Sequence, residues 1–177
     1  MASFLVRPAQ PHDRAGIDAM LARSYPPLLA PAYDPELLAA TLPAMIRAQP
    51  KLLECPTWFV AVDESGELLG CGGWTRERPG TGEVEAGLGH VRHFGTHIDH
   101  LRRGIARAIA MQMLATARAA GIEQLECYST LVAEHFYASL GFRTIATITV
   151  PMPRDDRSGE FVEFPAVLMR CALGRAI

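Results

Sequence analysis

The strongest constraint in this sequence is a helix pattern set between two strand patterns. Arg102–Ala120 is dense in alanine, long aliphatic and arginine side chains, all good helix formers, and Gly121 supplies a stop. Gly89–Thr96 before it reads as a strand, although histidine and arginine spoil its alternation, and Ile122–Tyr128 after it reads as another. The rest of the chain supplies neighbours for that unit. Ser3–Arg7 is a strand ended by Pro8 and Pro11, and Asp13–Arg23 carries Ile17, Met20 and Leu21 at helical spacing. Beyond the proline-rich Pro26–Pro31, Asp34–Leu53 is a second helical stretch with Pro43 as its bend or break. Thr57–Val62 and Glu67–Thr75 form a hairpin signal across Asp63–Gly66. Val132–Leu140 is a short helix stopped by Gly141. Arg143–Val150 and Phe161–Leu173 close the chain as two strands around the polar turn Arg154–Gly159. Helices interleaved with strands and local hairpins predict an α/β fold, a mixed sheet with helices on its faces.

Nothing in the sequence divides this pattern. There is no repeat, no low-complexity tract and no linker, so residues 1–177 are expected to form a single domain. With 17 basic against 19 acidic residues and a net charge of −2, the chain lacks the basic excess of a dedicated nucleic-acid binder. No apolar run approaches the roughly 18 residues that span a bilayer, and Met1–Gln10 has no secretory signal pattern. Cys55, Cys71, Cys127 and Cys171 are widely separated, without the paired spacing of a zinc site, so no metal is expected. A cytoplasmic, disulfide-free protein is the expectation.

The chemically informative segment is His90–Ala106, HVRHFGTHIDHLRRGIA. A strand ends, a few residues turn, and Gly104 and Ala106 open a helix. Small residues there let a ligand approach the backbone, where free N–H groups and the helix dipole hold an anion, usually phosphate. Arg102, Arg103 and Arg107 oppose the dipole at this end unless something anionic is bound. Elsewhere the chain has neither Gly-x-x-x-x-Gly-Lys-(Ser/Thr) nor Gly-x-Gly-x-x-Gly, which disfavours other nucleotide-binding α/β proteins.

Leu101, Arg102, Arg103, Gly104, Ile105 and Ala106 resemble motif A of the GNAT superfamily of N-acetyltransferases, (Gln/Arg)-x-x-Gly-x-(Gly/Ala), with Leu101 standing where the family has a polar residue. Phe136, Tyr137, Gly141 and Phe142 resemble its motif B, Phe-Tyr-x-x-x-Gly-Phe, in the family's order and spacing. The resemblance implies a GNAT-like mixed, mostly antiparallel sheet of about seven strands flanked by four helices. It implies acetyl-CoA as cofactor, with pantetheine along Phe94, Gly95 and Thr96 and the pyrophosphate on the amides of Arg102–Arg107. Thr130, at the end of the strand after the long helix, is implied as a further pantetheine contact. A homodimer is plausible by the same resemblance.

Acyl transfer to an amine needs a base, an oxyanion stabiliser and an acid for the leaving sulfur. The motif B match makes Tyr137 the acid, and a backbone N–H near Phe94 the oxyanion donor. For the base, His90 stands on the fourth strand where several family members place theirs, and histidine titrates near neutral pH. Glu83, Glu85 and His93 are reserves, and Asp99 is expected to shape the loop. Acceptor contacts are expected from Tyr25–Tyr33, the second helix, Arg76–Gly87 and the Pro151–Glu163 hairpin, with Tyr33, Trp74 and Phe161 as aromatic candidates. The resemblance implies a small-molecule or peptide amine as the acceptor. A non-catalytic acyl-CoA sensor on the same scaffold is the alternative.

Overall fold

The computed structural model describes residues 3–154 and 158–174. In chain order the elements are β1 (Phe4–Pro8), α1 (Arg14–Leu29), α2 (Pro35–Met45), α3 (Pro50–Leu53), β2 (Trp58–Asp63), β3 (Leu68–Thr75), β4 (Leu88–Thr96), α4 (Ile105–Ala119), β5 (Gln124–Ser129), α5 (Glu134–Ala138), β6 (Arg143–Pro153) and β7 (Phe161–Ala172). The seven strands form one sheet in the order β1-β2-β3-β4-β5-β7-β6. Every adjacent pair is antiparallel except β4 and β5, which are parallel because α4 carries the chain back between them.

The expected mixed sheet is therefore present, with two corrections among the helices. α1 does not end at Arg23 but runs through Pro26 and Pro27 to Leu29. Each proline removes a helix hydrogen bond, yet Leu29 and Ser24 are buried, and the Ser24 hydroxyl accepts from the Ile98 N–H at 3.0 Å. Tertiary packing thus outweighs local preference. The stretch Asp34–Leu53 does break, but not at Pro43, which lies inside α2. Pro50 instead opens the single-turn α3, one of five α-helices among the described residues. Asp34 caps α2, its carboxylate accepting from the N–H groups of Glu36 at 2.8 Å and Leu37 at 3.3 Å. Of the expected turn Arg154–Gly159, residues 155–157 lie outside the described residues; the Arg154 N–H donates to the Glu160 carbonyl at 2.9 Å.

α4 buries Ile105, Ile109, Met113 and Ala117, a spacing of four that keeps them on one face. They pack on Phe59, Ala61 and Leu69, and further along on Trp74, Leu125 and Met169. On the opposite face α1 buries Ile17, Met20 and Leu21 against Trp58, Val60 and Cys71. Leu38 of α2 packs with Leu29, Tyr33 and Phe164. Between α1 and α2, the Tyr33 hydroxyl donates to the Pro165 carbonyl at 2.9 Å and accepts from the Leu131 N–H at 2.8 Å, and its ring stacks on Phe164.

Two local features shape the centre of the sheet. First, β4 and β5 pair only where Leu88, Gly89 and His90 meet Gln124, Leu125 and Glu126. Past that point β4 stays with β3 and β5 stays with β7, which leaves a wedge. Second, Arg92 pairs with Gly73 and Gly95 with Cys71, so His93 and Phe94 together stand opposite Gly72. This is a β-bulge, with His93 at φ +44°, and it turns β4 away from a regular path. A Cβ on Gly72 would lie 2.5 Å from the Phe94 ring, so only glycine leaves room for that ring.

Candidate functional site

Tyr137 spans the wedge. Its ring meets Phe94 of β4 edge-on at 6.0 Å, and its phenol lies beside the Cys127 thiol of β5. Phe136 and Phe142 complete the aromatic cluster, at 5.2 and 5.5 Å between ring centres. Burial pushes the Tyr137 phenol well above its ordinary pKa, with the Cys127 thiol adding to the effect, so the proton is held at neutral pH. From the other face of the sheet, the Tyr25 hydroxyl reaches the Phe94 carbonyl at 2.6 Å. Burial likewise raises Cys71 and Cys127 to about 12, and both remain thiols.

His90 is the last residue of β4 still paired with β5, at the closed end of the wedge. It is only 2% exposed. Nδ1 stands 3.8 Å from Oε1 of Glu126, and the buried Nε2 has no hydrogen-bond partner. Burial pushes the imidazole below the ordinary value; Glu126 pulls it up, and Arg78 and Arg92 push it down again. The ring is therefore neutral at neutral pH. It forms one wall of a cavity of about 390 Å³ whose other walls are Arg78, Glu83, Val84 and Glu85. The reserve carboxylates Glu83 and Glu85 thus share a cavity with His90, each near Arg78 at 3.8 and 3.9 Å.

His93 is placed differently. Its Nε2 lies 2.8 Å from the Met45 carbonyl at the end of α2, with Trp58 and Tyr25 beside the ring. It anchors the bulge and does not face the cavity. Glu126 is the residue that sequence reasoning missed. It is 1% exposed, and its carboxylate accepts from Arg78 at 3.2 Å and from Arg170 at 3.0 Å. The one local signal was a carboxylate inside the otherwise apolar Leu125–Cys127.

At the mouth of the wedge, α4 begins at an N-cap, Gly104, at φ +79°, where no side chain caps the first-turn N–H groups. Arg102 at φ +61° completes the turn, and Arg102, Arg103 and Arg107 are all exposed. Arg103 contacts Nδ1 of His100, and Asp99 pairs with Arg23 of α1, which ties the loop to that helix. Ile105 is buried in the core against Phe59 and Leu69, so only its backbone is available to a ligand. Ala106 and Thr130 are half-buried; the Thr130 carbonyl accepts from the Ser129 hydroxyl at 2.7 Å.

Of the aromatic candidates, Tyr33 and Trp74 are core residues. The Trp74 indole donates to Thr116 of α4, on the face away from His90. Phe161 is exposed on β7. Glu67, His97 and His100 form a further cluster with ligand atoms within 4.8 Å. Nδ1 of His97 accepts from the Asp99 N–H at 3.2 Å and Nδ1 of His100 faces Arg103, so each ring carries its proton on Nε2, turned toward Glu67 at 3.6 Å. In that arrangement both Nε2–H groups point to one carboxylate, and neither Nε2 has a lone pair free for a metal. Another cavity, of about 610 Å³, lies by the β2–β3 turn, where Arg7 and Asp13 are committed to each other at 2.7 and 2.8 Å. Among the described residues no helix is long and apolar enough to cross a membrane.

The sequence profile of the Acetyltransferase (GNAT) family matches residues 19–142. No curated protein matches the chain significantly. Among solved structures, a GCN5-related N-acetyltransferase from Rhodopseudomonas palustris superposes with a TM-score of 0.73 at 19% identity, covering 97% of both chains. The PaiA N-acetyltransferase of Thermoplasma acidophilum, solved with coenzyme A, gives 0.67 at 14% identity, over 96% of this chain and 99% of that one. A GCN5-related N-acetyltransferase from Kribbella flavida gives 0.56 at 26% identity, over 96% and 97%.

Proposed function

This chain belongs to the GNAT acetyltransferase family, an acyltransferase family, and from that premise we propose that it acts as a single domain moving an acetyl group from acetyl-CoA directly to a primary amine of a small molecule or peptide. The observation that carries the proposal is the wedge itself. At its closed end is a buried, neutral His90 with a free Nε2; on its wall is a protonated Tyr137; at its mouth is an uncapped helix start ringed by three arginines.

The residues fit the cofactor. Gly104 leaves the first amides of α4 uncovered, which suits a diphosphate, and Arg102, Arg103 and Arg107 supply matching charge. Phe94, Gly95 and Thr96 lie on β4 past its last pairing with β5, where an extended pantetheine arm finds backbone groups. Thr130 flanks the same gap from the end of β5. Acetyl-CoA supplies the thioester, whose thiolate needs a proton on leaving. His90 takes the proton of the incoming ammonium on Nε2. The Phe94 N–H stabilises charge developing on the acyl oxygen, its carbonyl being already held by Tyr25. Tyr137 gives its proton to the departing sulfur and regains one from the second proton that the acylated nitrogen sheds. Direct attack is supported by the thiols of Cys71 and Cys127, which burial keeps protonated and unsuited to form an acyl-enzyme.

A panel of amines, from polyamines and aminoglycosides to amino acids and peptide N-termini, tests the proposal through release of free CoA. Acetyl-CoA binding without thiol release on any acceptor, matched in His90→Ala and Tyr137→Phe, would leave a binding module and sink the catalytic reading.

A further inference from the structure

We propose that Glu126 is a positioning residue for this reaction: it holds His90 in the tautomer protonated on Nδ1 and so keeps the basic lone pair on Nε2. The inference rests on the reading of His90 as the base. Register makes the relationship structural, since His90 and Glu126 are directly opposed in the three-residue parallel pairing of β4 and β5. Both side chains are buried, at 2% and 1% exposure, and Oε1 lies 3.8 Å from Nδ1. A carboxylate is an acceptor only. A lone pair on Nδ1 would face the lone pairs of Glu126, whereas an Nδ1–H is attracted to them.

The carboxylate itself is fixed from two sides. Arg78, from the β3–β4 segment, reaches Oε1 at 3.2 Å, and Arg170, from β7, reaches Oε2 at 3.0 Å through Nε and 2.9 Å through Nη2. Glu126 therefore cannot swing away from His90 without breaking its bonds to two guanidinium groups. The consequence appears on the far side of the ring, where Nε2 is buried and has no hydrogen-bond partner. A tautomer fixed in this way leaves Nε2 as the ring's one proton acceptor, which is what the reading of His90 as the base requires.

The charged groups facing His90 are Glu126 from β5, Arg92 from β4, and Arg78, Glu83 and Glu85 from the segment before β4. Only the carboxylates favour the protonated ring. Replacing Glu126 by Gln removes the nearest of them and leaves burial, Arg78 and Arg92 to act against protonation. The acid limb of kcat/KM, which reports the base losing its proton, should then move to lower pH. Because the amide can donate to Nδ1 and select the wrong tautomer, kcat on the plateau should fall at least about 10-fold. The KM for acetyl-CoA should stay within about twofold, and Glu126→Asp should recover part of the rate. A direct reading needs no variant: two-bond ¹H–¹⁵N spectra of the imidazole in the wild-type protein should show His90 protonated on Nδ1 at neutral pH.

An Nε2–H tautomer in the wild type, or a folded Glu126→Gln with unchanged kcat and an unmoved acid limb, overturns the inference. The parent reading fails separately, if His90→Gln keeps the wild-type acid limb. In that case the spectra still report on Glu126 alone.

Discussion

The phenol of Tyr25 donates a 2.6 Å hydrogen bond to the carbonyl of Phe94, joining α1 to the bulged residue of β4 across the sheet face. Tyr25→Phe keeps the ring and removes the donor. The carbonyl is then left unsatisfied in the interior, which costs about 1–3 kcal/mol. Urea unfolding should show a drop of that size with an unchanged m-value. Wild-type stability in Tyr25→Phe would mean that the carbonyl finds another partner.

Gly72 is the counterpart on β3. A Cβ there would stand 2.5–2.6 Å from three atoms of the Phe94 ring, so the ring must move. Gly72→Ala is expected to cost about 1–3 kcal/mol through overpacking. It should also weaken acetyl-CoA binding by displacing Phe94 from its place against Tyr137. An isothermal titration indistinguishable from wild type would detach Phe94 from the acyl-CoA site.

Ala106 opens the first turn of α4, where a carboxylate would both crowd and repel a diphosphate. Ala106→Glu should reduce acetyl-CoA affinity at least about 100-fold while leaving the thermal midpoint within a few degrees. Undiminished binding by calorimetry would place the pyrophosphate elsewhere.

Tyr137→Phe retains the aromatic cluster and removes the acidic proton. General acid help is worth about 10²–10⁴-fold, and kcat should fall within that range where chemistry limits the rate. The penalty should shrink with a donor whose thiol is more acidic. Full kcat with acetyl-CoA would reduce Tyr137 to a core aromatic.

The depressed His90 pKa makes a stability prediction of definite sign. Folded His90 binds a proton more weakly than the unfolded chain, whose value is near 6.5. Its contribution is complete above about pH 6.5 and is lost as the pH falls through the folded value. His93, also lowered by burial, acts in the same direction. His90→Gln should therefore lose less stability than wild type between about pH 7.5 and pH 5. Parallel curves for the two proteins would show that the folded ring titrates normally.

Much of this fold was legible because its periodicities are local. Ile17, Met20 and Leu21 mark the buried stripe of α1, and Gly121 and Gly141 end the patterns that became α4 and α5. The uncapped start of α4 was legible for the same reason: Gly104 among arginines is a short-range signal. What escaped depends on distant partners. Continuation through Pro26 and Pro27 rests on packing of Leu29 and Ser24, which no helix propensity encodes. The positive φ of His93 follows from the register of β4 against Gly72 and from the anchoring of its ring at Met45. Glu126 looked like an oddity in an apolar strand; its meaning comes from Arg78 and Arg170, far away on either side in the chain.

The link through Tyr33 has a mechanical consequence. The sheet is two panels, β1–β4 and β5–β7, hinged along the three residues where β4 and β5 pair. α1 lies on the first panel and α2 on the second. Tyr33, at the corner between them, is bolted to Leu131 and Pro165 on the second. That corner works as a strut that sets the angle between the panels. A ligand that entered the cleft would meet a slot already shaped by the fold, and its binding would cost little in ordering the chain.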